Sequence, residues 1–491
     1  MAYDLGIDIG TSAVKAVLVD ERQHVVAAAA APLELARPEP LFSEQDPEDW
    51  WRAVGAVVGA LRREAGPCFP GIRSIGLSGQ MHGAVLLDAE DRPLRPAILW
   101  NDGRSHAEAE WLHRHHPDLA RVVGVLPMPG FTAPKLLWLA RHEPATAAAI
   151  RTVLLPKDYV RLKLTGERAT DLSDAAGTWW LDQARRRWSP EALAATGLQP
   201  AQMPRLVEGT EVSGRVRSAL AAEWGLPPGI AVAGGGGDAA AGGVGLGAVH
   251  EGDAFLSLGT SGQLFVTASA YRPAPETGVH AFCHALPGTW FQMAAMLNGA
   301  SCLAWAARLL NRDIPQLLGD VEAQFQRPAD LLFLPYLSGE RTPHNDPHAR
   351  GVFFGLSART DRAAMAQAVL EGVAFSFADA KICLEAAGSR IDGAGLIGGG
   401  ARSRLWTRIL ASVLDVPLTR FAGGETGPAF GAARLGRMAA TGESVASVCT
   451  PPPVLDRVEP ERSLAEAYRP RVAAFRRLYG ALRTEFREPC A

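Results

Sequence analysis

The sequence predicts an α/β protein of two similarly built domains that meet at a cleft. Three observations carry this. The chain has 491 residues, too many for one ordinary hydrophobic core. Strand-like runs alternate with helix-like stretches along it. The turn Gly10-Thr11-Ser12, set between apolar runs, returns as Gly259-Thr260-Ser261 at an offset of 249 residues, about half the chain.

The elements follow in order. Ile7–Ile9 and Ala13–Val19 flank the first turn as a hairpin, since glycine and small hydroxyl residues suit a tight connection between β-branched runs. In "DPEDWWRAVGAVVGALRREAG", Asp46 is placed as an N-cap and Pro47 as the first helical residue. Trp51, Val54, Val58 and Leu61 recur at helical spacing, Arg62 and Arg63 fall in the last turn, and Gly66 ends the helix. Ile72–Leu77 is a strand leading into "SGQMHG", and residues 84–102 read as strand, turn and strand. The stretch 139–226 mixes helices and loops. "GIAVAGGGGDAAAGGVGLGAV" then supplies a short buried strand, a glycine turn and the small residues of a helix start. From Asp253 the hairpin pattern begins again. This places the boundary near residues 247–252, with one domain over 1–248 and the other over 249–491. The tail Glu461–Glu485 reads as helical.

A net charge of −3 points to neither a nucleic-acid nor a membrane partner. Six cysteines, from Cys68 to Cys490, lie far apart with no C-x-x-C, which favours reduced thiols in a cytoplasmic protein over disulfides or structural zinc. "MAYDLGIDIG" carries an early acid and no basic stretch, so it reads as a first strand and not as a signal peptide. The run Ile230–Val249 is broken by Asp238 and crowded with glycine, unlike a membrane span. "HRHH" (His113–His116) lacks metal-ligand spacing and reads as a solvated face.

A Gly-Thr-Ser turn exposes successive backbone N–H groups and two hydroxyls, a surface suited to phosphate oxygens. Two such turns facing each other would grip a polyphosphate, although each also reads as an ordinary hairpin. Asp8 beside the first turn can hold Mg²⁺ against the phosphates, while Ser257 replaces it in the second copy, where another acid would repel a nucleotide. "GLIGGGARSRLW" (Gly395–Trp406), which contains Gly399, Gly400 and Arg404, is a strand ending in glycines before a helix and is assigned to the adenosine end of a nucleotide. No lysine directly follows a glycine, so a Walker-type phosphate loop is excluded. Asp238 follows four glycines at a strand end. It reads either as a helix N-cap or as an ionised carboxylate on a cleft wall, able to accept a proton from a sugar hydroxyl during phosphoryl transfer. Gln80, His82, Asn101, Asp102 and Arg104 can bind several hydroxyls, with Met81 and Trp100 packing on the carbon face of a sugar; His82 and Trp100 also read as structural. Lys157-Asp158 and Glu340-Arg341 either line the cleft or brace it.

These residues, with "SGQMHG", "ILWNDGR", "LLPKDY", "SDAAGT", "SLGTSG", "FCHALP", "FLPYLSGERTPH", "GGGARS" and "GPAFGAARL" in order along nearly the whole chain, resemble the FGGY carbohydrate kinases. The resemblance implies an actin-like ATPase fold of two ribonuclease-H-like domains around a cleft. It implies transfer of the γ-phosphoryl group of Mg-ATP to the 5-hydroxyl of D-xylulose. It puts the proton acceptor on Asp238 and the substrate pair on Met81-His82, where glycerol-kinase-like relatives tend to carry Arg-Glu. It also puts phosphate motifs on Asp8–Ser12 and Ser257–Gly262, and an adenosine motif on Gly398–Arg404. Many similar proteins carry Asn or Gln after the catalytic Asp, whereas this chain has Ala239. Family members are often homodimers. The alternatives are a kinase for another ketose such as ribulose or for a polyol, an actin-like ATPase without a sugar, and a silent sugar sensor.

Overall fold

The computed structural model describes residues 1–422 and 427–487. Cys490 lies outside them, and the other five cysteines are free thiols.

The first half grows from the hairpin. Strands β1 (Tyr3–Ile9) and β2 (Ala13–Asp20) pair antiparallel, and a bond from the Gly10 N–H to the Ala13 carbonyl, 3.1 Å, closes the turn. β3 (Val25–Pro32) continues the meander. Helix α1 (Pro47–Ala65) follows, capped by the Asp46 carboxylate on the Glu48 N–H. Its inward face is Trp50, Val54, Val57, Val58 and Leu61. The tryptophan expected inside is therefore corrected: Trp51 is half-buried and stacks on Trp224, while Trp50 turns inward and donates its indole N–H to Gln45 Oε1. Gly66 caps the end of α1 as expected, and the chain then tightens into a 3₁₀ turn over Gly66–Gly71. β4 (Ile72–Gly79) lies parallel to β1, and α2 (Pro156–Thr165) packs beside them. β5 (Val212–Arg215), β6 (Ala231–Ala233) and the short β7 (Gly236–Gly237) complete the sheet before α3 (Asp238–Leu246). The order is β5-β6-β4-β1-β2-β3, with β7 also on β4.

The second half repeats this plan. β8 (Ala254–Leu258) and β9 (Gly262–Ala268) form the second hairpin, followed by β10 (His280–Cys283) and β11 (Trp290–Met296). Helix α4 (Ala300–Leu309) starts against the second turn, donating the Ala300 N–H to the Gly259 carbonyl at 2.7 Å. The long α5 (Arg362–Ala386) is buried through most of its length under this sheet. β12 (Ala394–Ile397), α6 (Arg404–Leu414), β13 (Leu418–Phe421), α7 (Gly427–Thr441), β14 (Val454–Val458) and α8 (Arg462–Leu482) complete the chain. The order is β10-β11-β9-β8-β12-β13-β14. Each sheet thus has an antiparallel hairpin extended by two strands parallel to its first, the ribonuclease-H-like arrangement, and the fold is a two-domain α/β fold. Among the described residues no helix is long and apolar enough to cross a membrane.

Helix α7 does not stay with the second sheet. It packs on β1, β4 and α3 of the first half. The approach is backbone to backbone. A Cβ on Gly76 would sit 1.7 Å from the Ala432 carbonyl oxygen, and one on Gly431 would sit 1.8 Å from that of Ala241. Glycine is required at both places, since no side-chain shift can relieve a clash with a main-chain atom. Gly76→Ala should therefore lower stability by about 1–3 kcal/mol or more. Gly55→Ala, at an α1 position with nothing within 4 Å of the added methyl, should raise it by about 0.5–1 kcal/mol. Denaturant unfolding of the two variants checks the opposite signs.

Candidate active site

Asp8, Gln80 and Asp238 sit at the same ends of three adjacent strands. β1 and β7 both run parallel to β4, with Asp8 and Gly236 each opposite Ser78 and Gly237 opposite Gly79. Asp8 is thus next to last in β1, Gln80 just past β4, and Asp238 just past β7. A cavity of about 230 Å³ opens over these ends. Gly10 and Thr11 of the first turn and Ser261 of the second reach into it. So do Met81, His82 and Trp100. Gln263, His280 and Arg341, from the second half of the chain, form the opposite wall.

Both acids are pushed toward the protonated form, chiefly by burial. Each keeps some surface toward the cavity but is otherwise enclosed by protein. Burial raises the Asp238 carboxyl to about 7, with the Asp8 charge as the second cause, and the Ala239 N–H bond to Asp238 Oδ1, 2.8 Å, offsets only part. Burial likewise raises Asp8 to about 6 against the pull of Ser78 and Lys15. This corrects the expectation of an ionised, exposed Asp238: burial outweighs the helix N-terminus. Nor is Asp238 the N-cap; that position is Gly237, and Asp238 opens the helix. Asp8 Oδ1 is buried with no hydrogen-bond partner among the described residues.

A buried polar relay sets the wall that carries Gln80, Thr11 and Trp100. Trp50 donates to Gln45 Oε1, which also accepts from Gln80 Nε2; Gln80 Oε1 accepts from the Thr11 hydroxyl, and that hydroxyl accepts from Trp100 Nε1 at 2.9 Å. The Thr11 side chain is therefore spent within the protein, and its turn can offer phosphate only backbone N–H groups and the exposed Ser12 hydroxyl. His82 is held in a left-handed conformation, φ 69°, by Thr132 and Lys135 donating to its carbonyl. Its Nδ1 lies 2.6 Å from the Gly177 carbonyl, which can only accept, so Nδ1 carries the proton and Nε2 is left as an acceptor. Burial holds His82 neutral.

Asn101 and Asp102 do not line this cavity. The Asp102 carboxylate accepts from the Ser43 N–H and from Arg104 through its backbone N–H, Nε and Nη2, while Asn101 Oδ1 accepts from the Ser43 hydroxyl. Arg104 also pairs with Glu44 and lies over the Phe42 ring. These groups brace the loop that carries Trp100, a correction to their assignment as sugar ligands. Lys157 and Asp158 brace as well. Lys157 Nζ meets Asp158, Asp171 and Asp174 at 2.6, 2.7 and 3.1 Å, all fully buried. Asp171 accepts from the Ser173 hydroxyl, Ser173 accepts from the Gly237 N–H at 3.1 Å, and Arg161 donates to the Ala233 and Gly234 carbonyls. This cluster clamps the glycine turn that presents Asp238. Of the other undecided pair, Arg341 lines the cavity and Glu340 braces it from behind.

Gly398–Gly400 abut the second turn: a Cβ on Gly398 would lie 2.9 Å from the Gly259 N. Gly399 is exposed, Gly400 is buried against Leu258, and Thr260 is exposed at the turn. Arg404 opens α6 with its side chain in solvent, 3.9 Å from Asp456.

The family model of the FGGY carbohydrate kinase N-terminal domain matches residues 3–245, and that of the C-terminal domain matches residues 254–440. The chain belongs to the FGGY family of carbohydrate kinases. The xylulose kinase of Escherichia coli (strain K12) is 48% identical to this FGGY chain over 97% of the chain and 99% of the relative. A crystal structure of a xyloylose kinase from Brucella ovis is 51% identical, with a TM-score of 0.95 over 98% of this chain and 99% of that one. The xylulose kinase structure from Rhodospirillum rubrum superposes with a TM-score of 0.90 at 31% identity, covering 99% and 100% of the two chains.

Reading the FGGY motifs alone missed Gln263 and His280. The available signal for His280 was a histidine within an otherwise apolar strand.

The raised acids make a stability prediction. A carboxyl in the unfolded chain ionises near about 4, before Asp8 does at about 6. The folded state therefore loses stability as pH rises through that window. Asp8→Asn should raise the thermal midpoint of the ligand-free protein at pH 8, and the gain should vanish near pH 4. A pH series of melting curves for both proteins measures this.

Proposed function

We propose that this kinase transfers the γ-phosphoryl group of ATP to the 5-hydroxyl of D-xylulose, with Asp238 as the proton acceptor. One observation carries the reading: a single cavity holds Asp238, the Met81-His82 pair and residues of both Gly-Thr-Ser turns. The xylulose kinases similar to this chain over its full length support the choice of sugar.

Asp238 meets the sugar hydroxyl at one end of the cavity. His82 Nε2 accepts from a second hydroxyl, and Met81 and Trp100 pack on the carbon chain. As the O5–Pγ bond forms, the hydroxyl proton passes to the Asp238 carboxylate. The bond from Pγ to the bridging oxygen breaks, and ADP leaves with its electron pair. A base near neutrality suits this step, since proton affinity and the ionised fraction are both appreciable at working pH. Positioning does more than base strength in so loose a transition state. Enclosure of the reacting groups by both walls also keeps water from competing. Backbone N–H groups of the Gly10–Ser12 and Gly259–Ser261 turns would hold the phosphates, and Gly399, Gly400 and Arg404 the adenosine end.

The unpartnered Asp8 Oδ1 fits a divalent cation. Among the described residues no group of three or more His, Cys, Asp or Glu could hold a metal alone. Mg²⁺ at Asp8 would take its other ligands from phosphate oxygens and water and would neutralise phosphate charge.

ADP release across a sugar panel at fixed Mg-ATP tests the substrate, and greater kcat/KM for ribulose or a polyol than for D-xylulose would overturn it. Asp238→Asn should lower kcat by about 10²–10⁴-fold and leave the dissociation constant for ATP nearly unchanged. For the wild type, log kcat/KM for the sugar should rise with unit slope below about pH 7 and level off above it, following the Asp238 carboxyl. A profile flat from pH 5.5 to 8 removes Asp238 as the base.

A further inference from the structure

His280 and Arg341 belong to the second half of the chain, which also carries the second Gly-Thr-Ser turn. Both nevertheless line the cavity that holds Asp238 and His82. His280 opens β10 and is 2% exposed. Its ring packs at 62° to Phe131, with centroids 5.7 Å apart, and lies 5.2 Å from the Phe282 ring. Both ring nitrogens are buried with no hydrogen-bond partner among the described residues. Leaving such groups unpaired costs free energy that a ligand oxygen in the cavity would recover. The group is neutral, held at about 3 by burial and the nearby Arg341, so it presents one donor and one acceptor, as a hydroxyl partner requires.

Arg341 brings a second unused group. Its guanidinium carbon lies 5.6 Å from the centre of the Trp100 ring, across the cavity from its own loop. Among the described residues no acceptor takes a hydrogen bond from its side chain. The adjacent Glu340 attracts it by charge, but that carboxylate accepts its hydrogen bonds from the Leu297 N–H, from Asn298 Nδ2 and from the Arg341 backbone N–H.

We propose that His280 and Arg341 are sugar-contacting residues, so that the acceptor sugar is gripped from both halves of the chain, by Met81, His82 and Trp100 on one wall and by these two on the other. Arg341 has only donors and takes a carbonyl or hydroxyl oxygen; His280 takes a hydroxyl. The inference rests on the reading that this cavity holds the sugar.

His280→Phe keeps an aromatic ring, slightly larger, against Phe131 and Phe282 and removes both hydrogen-bonding nitrogens. It should raise KM for D-xylulose about tenfold or more, leave KM for ATP within about twofold, and leave the melting temperature at or above that of wild type. His280→Gln, which restores a donor and an acceptor, should recover part of the loss. Arg341→Met should raise the sugar KM about 10–100-fold, the range for a hydrogen bond from a charged donor, with Arg341→Lys intermediate. A residue that merely packs would give the reverse for His280: no kinetic change in the Phe variant and a loss in the Gln variant. Sugar KM within twofold of wild type in His280→Phe or Arg341→Met removes that residue from the site. A rise in sugar and ATP KM together with a lowered melting temperature overturns the assignment in the same way. Should His280→Phe fail to fold, Arg341→Met reads the same wall independently. The wild type is assayed first. If it turns over a different sugar, the D-xylulose assignment falls, and the variants are compared on that sugar. If it neither binds nor turns over any sugar, both readings fall.

Discussion

The parallel register of β1, β4 and β7 is the constraint on which the site depends. It puts Asp8, Gln80 and Asp238 at neighbouring carboxyl ends of one sheet, where ligands of open α/β sheets bind. A one-residue slip of β1 against β4 would turn Asp8 to the other face of the sheet and leave the cavity without it. The register is fixed from below by glycine. Helix α7 rests on β1 and β4 so closely that Gly6 and Gly76 face its main chain. A slipped strand would bring a side chain against that backbone. The close packing that joins the second half of the chain to the first sheet thereby also aligns the acids.

That alignment has an electrostatic consequence. Asp8 and Asp238 are enclosed together, and each carboxyl is pushed upward. The other end of the cavity has the opposite character, with Arg341 on one side and the buried Lys135 beneath His82. Burial pulls Lys135 well below its ordinary value, and its Nζ donates to the His82 carbonyl. A neutral polyhydroxy molecule suits such a cavity. It can donate toward the acids and accept from the cation, and it brings no charge to be desolvated.

The sequence made much of this legible because the informative features are local. Two Gly-Thr-Ser turns between apolar runs, an Asp-Pro helix start and a glycine run before Asp238 each follow from backbone requirements that a short window reveals. What escaped reading depends on packing between distant segments. Asp102 carries a ligand's side chain, yet Arg104, two residues on, and Ser43, far away in the chain, consume it. Asp238 stands at a helix N-terminus, which favours the anion, yet Asp8 and burial outweigh that. Trp50 and Trp51 are equivalent by composition. Distant partners distinguish them: Trp50 meets Gln45 and the core, while Trp51 stacks on Trp224. His280 stands out locally only as a histidine in an apolar strand, and its significance lies in facing a wall built from the other half.

The two turns are held differently, and this accounts for the one acid between them. Side chains fix the first: the Thr11 hydroxyl bridges Gln80 and Trp100, and Gln45 takes up the Thr11 carbonyl. Its position is therefore tied to residues that also line the sugar end. Backbone fixes the second, whose Gly259 and Thr260 carbonyls accept from the N–H groups at the start of α4. An acid beside the first turn stands at the end of β1, close enough to Asp238 to raise its proton affinity. An acid at position 257 would stand at the matching place in β8 and add a further negative charge to a site that already holds two enclosed carboxyls and would receive a polyphosphate. With Ser257 there instead, the second turn keeps its hydrogen-bonding surface without deepening the repulsion that Asp8 and Asp238 already bear.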